Sequence, residues 1–375
     1  MQRSGKRVGR ADGRKANNRA AFSLLELLVA VSIIGILVAM LFPALNSARS
    51  ASRRAACASN LRQFGIGLHA HAQRHQTFCS GAFDWRRDGC ATEIGWVADL
   101  VNQGTPVGEM LCPANPARIC NTFNDLLNLD VSVTDNCVDR LGSAATTNPD
   151  GSPALNPCRA IVEQGLPPGS EQRRSVVERQ IFAEHFNTNY AATWWLTRTG
   201  LLLDANGNIK SNKGGCQPSR LARHSTLGPL TPSRADTASV STSFIPLLGC
   251  GAAGRPLAMH VGENPAGALT ARGMTAGPAA NPGMATPSFA DGTPQTGVNG
   301  WWAVWNATLQ DYRGFAPTHC GACNILFADG GVRAFIDADG DGLLNNGFLP
   351  TAENGFASAK TELPPEEVMS KWQLR

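Results

Sequence analysis

The hydrophobic pattern divides the chain into one continuous apolar run, a stretch with helical spacing, and a long region of short alternating segments. Residues 22–45, FSLLELLVAVSIIGILVAMLFPAL, carry a single charge, Glu26. As a helix, 20 of these residues would measure about 30 Å, which is the thickness of the hydrocarbon core of a bilayer. The run therefore predicts a membrane-spanning helix.

Helical spacing continues through residues 46–75, where apolar side chains recur near one face. The residues on this face are Ala48, Ala51, Ala55, Leu61, Phe64 and Leu68. We expect this half of the helix to pack against a globular domain. Pro43 removes one helical hydrogen bond and crowds the preceding turn, so we expect a kink or local unwinding near it.

Beyond residue 76 the pattern is typical of strands and turns, since short apolar runs alternate with clusters of Gly, Pro, Asn and Asp. Residues 199–212 predict a hairpin that turns at 205–208, and residues 324–327 and 332–336 predict two strands joined at 328–331. No fixed repeat marks a second core, so one domain over 76–375 is favoured over two. The predicted fold class is α+β, with a long N-terminal helix packed on a loop-rich antiparallel sheet.

The charged residues are distributed unevenly, with an excess of basic residues at the N-terminus. Residues 1–21 hold seven of the 33 Lys and Arg residues but one of the 29 Asp and Glu residues, so the rest of the chain is slightly acidic. A basic flank before a membrane helix stays in the cytoplasm and sends the other end outward. The main body therefore gives no support for a nucleic-acid partner.

Eleven cysteines are many for a cytosolic protein, which indicates an oxidising compartment for residues 76–375. Cys57 stands alone near the membrane segment and is the expected leftover thiol. An even set remains as disulfide candidates, whose connectivity the sequence does not fix. These are Cys79, Cys90, Cys112, Cys120, Cys137, Cys158, Cys216, Cys250, Cys320 and Cys323.

Glu26 argues against an ordinary signal peptide, because a carboxylate inside a membrane segment is costly and is by default a functional candidate. Residues 21–27, Ala-Phe-Ser-Leu-Leu-Glu-Leu, resemble the type IV prepilin cleavage and methylation motif, with Ala21 in place of the usual glycine. The resemblance implies a leader of residues 1–21, a cut between Ala21 and Phe22, and N-methylation of Phe22. Glu26 and Pro43 would then occupy the fifth and twenty-second mature positions, where pilins carry such residues for assembly.

A second resemblance lies near the C-terminus, where His319 is followed after nine residues by Asp329-Gly330. This is similar to the H-x9-DG motif of large pilin-like proteins of the domain of unknown function 1559 family. The dipeptide Cys112-Pro113 and residues 189–191, Asn-Tyr-Ala, resemble weaker landmarks of that family. The family implies topology and processing rather than a defined activity.

Residues 337–345, DADGDGLLN, alternate acids as in the first half of an EF-hand loop. They predict a calcium site, with Glu353 or another segment needed to complete it and a solvated turn as the alternative. The calcium ligands expected from this spacing are Asp337, Asp339, Asp341 and Asn345.

Histidines offer two weaker metal sites. His319 could bind a metal with Cys320 and Cys323, although a structural histidine beside disulfides is favoured. His71 and His75 share a helix face at i, i+4, and a solvated helix end is favoured over a metal pair there.

No Gly-x-Ser-x-Gly, His-Glu-x-x-His or phosphate-loop motif is found, so an enzyme is not expected. The favoured function is a pseudopilin or minor-pilin-like subunit of a type II secretion or type IV pilus-type system in the bacterial inner membrane. The expected partners are a prepilin peptidase, other pilin-like subunits through the N-terminal helix, and membrane lipid. The alternative is a membrane-tethered extracytoplasmic module that binds a solute, glycan or envelope protein.

Overall fold

The computed structural model describes residues 23–131 and 136–374. The predicted leader, with Ala21 and Phe22 of the cleavage motif, lies outside the described residues. By its contacts the chain divides into two units, one ending at Arg49 and the other beginning at Ser50.

The helices are defined as follows: α1 Leu24–His75, α2 Trp96–Asn102, α3 Thr122–Asn128, α4 Pro157–Glu163, α5 Glu171–Val177, α6 Trp194–Arg198, α7 Pro232–Asp236 and α8 Trp301–Asn306. A π-helical turn, Glu178–Phe182, follows α5, and 3-10 turns occur at Arg223–Ser225 and Thr242–Phe244. The strands are β1 Ile119–Cys120, β2 Thr146–Thr147, β3 Pro153–Ala154, β4 Tyr190–Ala192, β5 Pro246–Cys250, β6 Thr270–Ala271, β7 Gly277–Ala279, β8 Leu309–Asp311, β9 Ala322–Phe327 and β10 Val332–Ile336.

Helix α1 begins at a reciprocal cap. The backbone N–H of Ser23 donates to the Glu26 carboxylate at 3.0 Å, and the Ser23 hydroxyl accepts from the N–H of Leu25 at 3.2 Å. A Ser followed three residues later by Glu satisfies helix-end N–H groups in this way. The helix continues through Pro43, so the predicted kink does not end or divide it.

The first unit consists, in its described part, of the apolar portion of α1. Its large hydrophobic side chains from Leu24 to Leu45 are exposed, and length and composition make α1 a candidate to span a membrane. The predicted membrane helix is confirmed as an apolar helix of sufficient length.

In the second unit, α1 buries one face. Cys57, Leu61, Phe64 and Leu68 are fully buried, at intervals of four, three and four residues along one side of the helix. Gly65 lies on the same face. A Cβ there would come within 3.1 Å of a Leu326 methyl group, so the helix and this side chain approach closely. The predicted face is thus confirmed at its last three positions.

The three alanines predicted to share that face, Ala48, Ala51 and Ala55, are exposed. Spacing identified the side of the helix but not where packing starts. That start depends on which residues of the later chain reach the helix.

The core sheet has four antiparallel strands in the order β10, β9, β5, β4. Tyr190 pairs with Cys250, Gly249 with Ile325, and Leu326 with Val332. Three two-stranded pairs surround it: β1 with β6 in parallel, and β2 with β3 and β7 with β8 antiparallel. The predicted α+β class is confirmed.

The hairpin of β9 and β10 forms where it was predicted, with its turn at 328–331. Asp329 accepts the N–H of Gly331 at 2.8 Å, and Gly330 adopts a φ of 82° that a side chain would strain. The predicted hairpin at 199–212 forms its turn around Asp204 and an isolated bridge between Leu203 and Ile209, without regular strands.

Two disulfides form, Cys90–Cys158 and Cys137–Cys216. All eleven cysteines are among the described residues, and seven are free thiols. The prediction that most of the ten outer cysteines are paired therefore needs correction, since six of them are free. Five of the six are buried among core side chains, so the core rather than a bond to another loop determines their places. These six are Cys79, Cys112, Cys120, Cys250, Cys320 and Cys323.

A fully buried ion pair joins the loop before α2 to the end of α6. Arg198 donates to both oxygens of Asp88, at 2.8 and 2.6 Å, and neither side chain is exposed. Such a pair is strongly destabilising to break, because the remaining charge loses its partner without regaining water.

His71, near the end of α1, lies between two polar groups. Its Nδ1 is 2.7 Å from the carbonyl oxygen of Thr77, and its Nε2 is 3.4 Å from Asp99. Although burial opposes protonation, the interactions with Asp99 and Thr77 raise the pKa of His71. The His75 ring stacks on that of His71, with ring centroids 4.4 Å apart. The expected solvated helix end is found at His75, which is exposed, and not at His71, which is buried.

A pH dependence of stability follows from His71. A raised folded-state pKa stabilises the fold fully below about pH 6.5, the unfolded value, and this contribution is lost as the pH rises through the folded pKa. Replacing His71 by Gln should therefore reduce the fall in melting temperature of the full-length protein between pH 6 and pH 8. His75→Gln, on the exposed neighbour, serves as the control, and an unchanged pH dependence in His71→Gln would contradict this role.

Candidate functional site

Segments that are distant in the sequence converge on one buried place in the second unit. Helix α1 supplies Cys57, the loop after α2 supplies Cys112, the end of β5 supplies Cys250, and the turn before β9 supplies His319. All four side chains are buried, the three cysteines completely. We call these four residues the Cys3His cluster.

The distances within the Cys3His cluster are short. The Sγ of Cys250 lies 3.4 Å from that of Cys57 and 3.6 Å from that of Cys112. The Nε2 of His319 lies 3.3 Å from the Cys112 sulfur and 3.5 Å from the Cys250 sulfur. All four donor atoms lie within 4.8 Å of one another.

Asn189 positions Cys112. Its side-chain oxygen accepts the N–H of Cys112 at 2.7 Å, and its side-chain amide donates to the carbonyls of Cys112 and Ala117 at 3.1 and 2.9 Å. Asn189 is fully buried just before β4. The Cys-Pro and Asn-Tyr-Ala landmarks are therefore in direct contact, and together they hold one thiol of the cluster.

Asn115 and the strand partners of β5 position Cys250. Asn115 donates to the carbonyls of Asn189 and Gly251, at 3.2 and 2.8 Å, which joins the Cys112 loop to the end of β5. The carbonyl of Cys250 accepts the N–H of Ala316 at 2.9 Å. Cys250 thus has its backbone fixed next to the segment that leads to His319.

A tight turn brings His319 into the cluster. His319 and Ala322 exchange two backbone hydrogen bonds, and Cys320 and Gly321 between them have φ values of 53° and 81°. Two residues with positive φ are typical of a type I′ turn. The Nδ1 of His319 has no hydrogen-bond partner among the described residues, so the polar contacts of the ring are those of Nε2 to the two sulfurs.

The three thiols do not titrate alike. Hydrogen bonds with Cys250 and Cys57, together with the His319 imidazole, lower the pKa of Cys112. Hydrogen bonding to Cys112 and Cys250, reinforced by burial, raises the pKa of Cys57. The contacts of Cys112, whose sulfur lies 3.3 Å from the imidazole nitrogen, thus favour its thiolate form, whereas those of Cys57 favour its thiol form.

The predicted partners of His319 need correction. Cys320 is exposed, with its sulfur 3.0 Å from the Ser50 hydroxyl, and so points away from the cluster. Cys323 is buried on β9. Hydrogen bonding with Cys112 and with Cys323 raises the pKa of Cys250. Cys57, which the sequence predicted to be an unpaired thiol, is indeed free, and its sulfur lies in the cluster.

The predicted calcium loop has a different arrangement from the one its spacing suggests. Asp337, Asp339 and Glu362 have carboxylate oxygens within 4.8 Å of one another. Asp341 accepts the N–H groups of Leu343 and Ala357, both at 2.8 Å. Asn345 is buried and its side chain bonds to the loop itself.

Glu362 is the residue that sequence spacing missed. Its carboxylate accepts the N–H groups of Ala338 and Asn345, at 2.5 and 3.1 Å, which fixes it beneath the loop. Burial, together with the charges of Asp339 and Asp337, raises the pKa of Glu362. Calcium binding stays a prediction. Its candidate ligands are Asp337, Asp339 and Glu362, because the side chains of Asp341 and Asn345 bond to backbone groups.

Two parts of the chain match known families. Residues 16–42 match the prokaryotic N-terminal methylation motif, and residues 46–105 match a protein of unknown function, DUF1559. The chain therefore carries a prokaryotic N-terminal methylation motif followed by a segment that matches DUF1559. His319 and Asp329-Gly330 lie outside both matches. No curated protein and no solved structure matches the chain.

The calcium prediction can be tested with the full-length protein. An ion that binds only the folded state must raise the melting temperature, because the gain depends on the ratio of free ion to dissociation constant. We expect millimolar calcium to raise it and a chelator to reverse the change, with Glu362→Gln and Asp339→Ala abolishing the response. The exposed Glu366, which lies outside the acidic group, provides a control in Glu366→Gln. A melting temperature that calcium does not change would contradict the site and indicate only a solvated turn.

Proposed function

We propose that the protein is a pseudopilin or minor-pilin-like structural subunit of a type II secretion or type IV pilus-type system. The match of residues 16–42 to the N-terminal methylation motif carries the proposal. That match coincides with an apolar helix long enough to cross a bilayer, which is how such subunits are anchored before assembly.

The exposed apolar surface of α1 supports this role. From Leu24 to Leu45 its large side chains are exposed. Each contributes about 1.5–3 kcal/mol when it is removed from water, so the helix belongs in lipid or against other apolar helices. A helix that leaves the membrane during assembly needs neighbours of the same kind.

Glu26 is the polar exception in this surface. It caps the Ser23 N–H in the described chain. After cleavage before Phe22, each subunit would have a new amino group four residues before its own Glu26. In an assembly, the amino group of a neighbouring subunit could then pair with this carboxylate. A membrane-embedded carboxylate that finds such a partner loses much of its cost.

The proposed topology places the basic N-terminus in the cytoplasm, a single span in the bacterial inner membrane, and the second unit outside the cytoplasm. The basic residues of 1–21 support this orientation. The two disulfides are consistent with an oxidising compartment for the second unit. A prepilin peptidase and other pilin-like subunits are the proposed partners.

The alternative of a tethered binding module has less support. A surface cavity of about 410 Å³ is lined by Asp84, Arg87, Asp125 and Arg255 among others. Its charges are largely paired with each other, since Arg87 binds Asp84 and Arg255 binds Asp125. A dedicated ligand site would be expected to leave converging polar groups available.

Processing gives the first test of this proposal. Mass spectrometry of the N-terminus of protein purified from its native membrane should find a chain that begins at Phe22 and carries one added methyl group. Recovery of Met1, or a cut beyond Pro43 by an ordinary signal peptidase, would contradict the pilin-type role.

The second test separates the charge of Glu26 from its cap. Glu26→Gln removes the charge but can still accept the Ser23 N–H, because Gln also serves in this cap. Glu26→Gln and Glu26→Ala should insert into the membrane normally yet crosslink to other pilin-like subunits far less than wild type. Ser23→Ala, which weakens the cap but keeps the charge, is the matched control. Normal crosslinking by Glu26→Gln would show that the carboxylate has no pairing role.

A further inference from the structure

We infer that the Cys3His cluster binds one zinc ion in tetrahedral coordination, and that this ion joins helix α1 to the central sheet. The inference concerns the second unit alone. It does not depend on the proposed role in secretion or pilus assembly.

The donor set fits zinc. Three cysteine sulfurs and one imidazole nitrogen form one of the usual ligand sets of structural zinc sites, which are four-coordinate and closed to solvent. Calcium and magnesium prefer oxygen ligands and would not select this set. The cluster is likewise closed, because its three cysteines are fully buried and His319 is nearly so.

The distances also fit. With Zn–S near 2.3 Å and Zn–N near 2.0–2.1 Å, a tetrahedron requires sulfurs roughly 3.8 Å apart and nitrogen roughly 3.5 Å from each sulfur. The Cys250 sulfur lies 3.4 Å from that of Cys57 and 3.6 Å from that of Cys112, and the His319 Nε2 lies 3.3 and 3.5 Å from the Cys112 and Cys250 sulfurs. Small adjustments of side-chain rotamers would therefore accommodate the ion.

A disulfide explains the arrangement less well. Cys250 lies at nearly equal distances from Cys57 and Cys112, both far beyond the 2.03–2.05 Å of a sulfur–sulfur bond. Bonding either pair would leave the third thiol and the imidazole buried with no shared partner. A single ion satisfies all four donors at once.

His319 gives an independent indication. The ring is almost fully buried, its Nδ1 has no partner among the described residues, and its contacts are directed through Nε2 at the sulfurs. A buried imidazole whose Nε2 faces the sulfurs of Cys112 and Cys250 is what zinc coordination through Nε2 would produce. The sequence suggested a metal-binding role for His319 as an alternative, and the inference gives it Cys57, Cys112 and Cys250 as partners in place of Cys320 and Cys323.

Burial determines how the ion would enter. Since the cluster is enclosed, zinc must bind before α1 closes against the sheet, so that metal binding contributes to folding. The bound ion should then exchange slowly with solvent. It would also keep the three thiols from oxidising in the proposed extracytoplasmic compartment.

The test uses full-length protein purified in detergent from cells grown with added zinc, without chelator or reductant. Elemental analysis should give about one zinc per chain. X-ray absorption should show three sulfur ligands near 2.3 Å and one nitrogen ligand near 2.0–2.1 Å. Alkylation after denaturation, still without reductant, should label Cys57, Cys112 and Cys250 as free thiols.

Variants assign the ligands. Cys112→Ser and His319→Gln should lose most of the zinc, whereas Cys79→Ser and Cys120→Ser, which alter buried thiols outside the cluster, should retain it. Because a ligand variant can fail to fold, the spectrum and thiol map of the unaltered protein decide independently. A disulfide between any two of the three cluster cysteines, or unaltered protein with free thiols and less than about one tenth of an equivalent of zinc, would overturn the inference.

Discussion

The packing of one face of α1 against the central sheet is the constraint on which the second unit depends. Leu61, Phe64 and Leu68 bury this face, and Gly65 lets the Leu326 side chain approach the helix backbone. Asn324 on β9 donates to the carbonyl of Arg54 at 3.0 Å, which adds a polar contact to the same interface. Cys57 lies one turn before Leu61, so any group that binds its sulfur acts directly on this packing.

The parts of the fold that the sequence predicted correctly are those determined by local spacing. The apolar run, the last three positions of the helix face and the hairpin around Asp329 each follow from residues close together in the chain. The exposed alanines show the limit, because helical spacing identifies a side but burial requires partners from distant segments. The hairpin at 199–212 shows the same limit, since a turn forms locally but strands need neighbours.

The Cys3His cluster was beyond sequence reasoning for a similar reason. Its members come from four segments separated by 55 or more residues, and counting cysteines by parity removed Cys57 from the outer set. Counting cysteines in this way assumes that each forms a disulfide with another. In the structure the cluster cysteines are instead free thiols buried in the core. Glu362 was missed because it enters the acidic loop from 17 residues beyond Asn345 and does so through backbone hydrogen bonds that no motif records.

The nine residues between His319 and Asp329 have a direct structural meaning. They contain the rest of the tight turn at Cys320 and Gly321, the whole of β9, and the first residue of the turn that follows. His319 at one end belongs to the Cys3His cluster, to which α1 contributes Cys57, while the Cα of Gly330 at the other end lies 3.9 Å from where a Cβ on Gly65 would stand. A change of one residue in this span would turn every later side chain to the opposite face of the strand. The spacing therefore corresponds to the length of strand between two places at which this segment comes close to α1, one near Cys57 and one near Gly65.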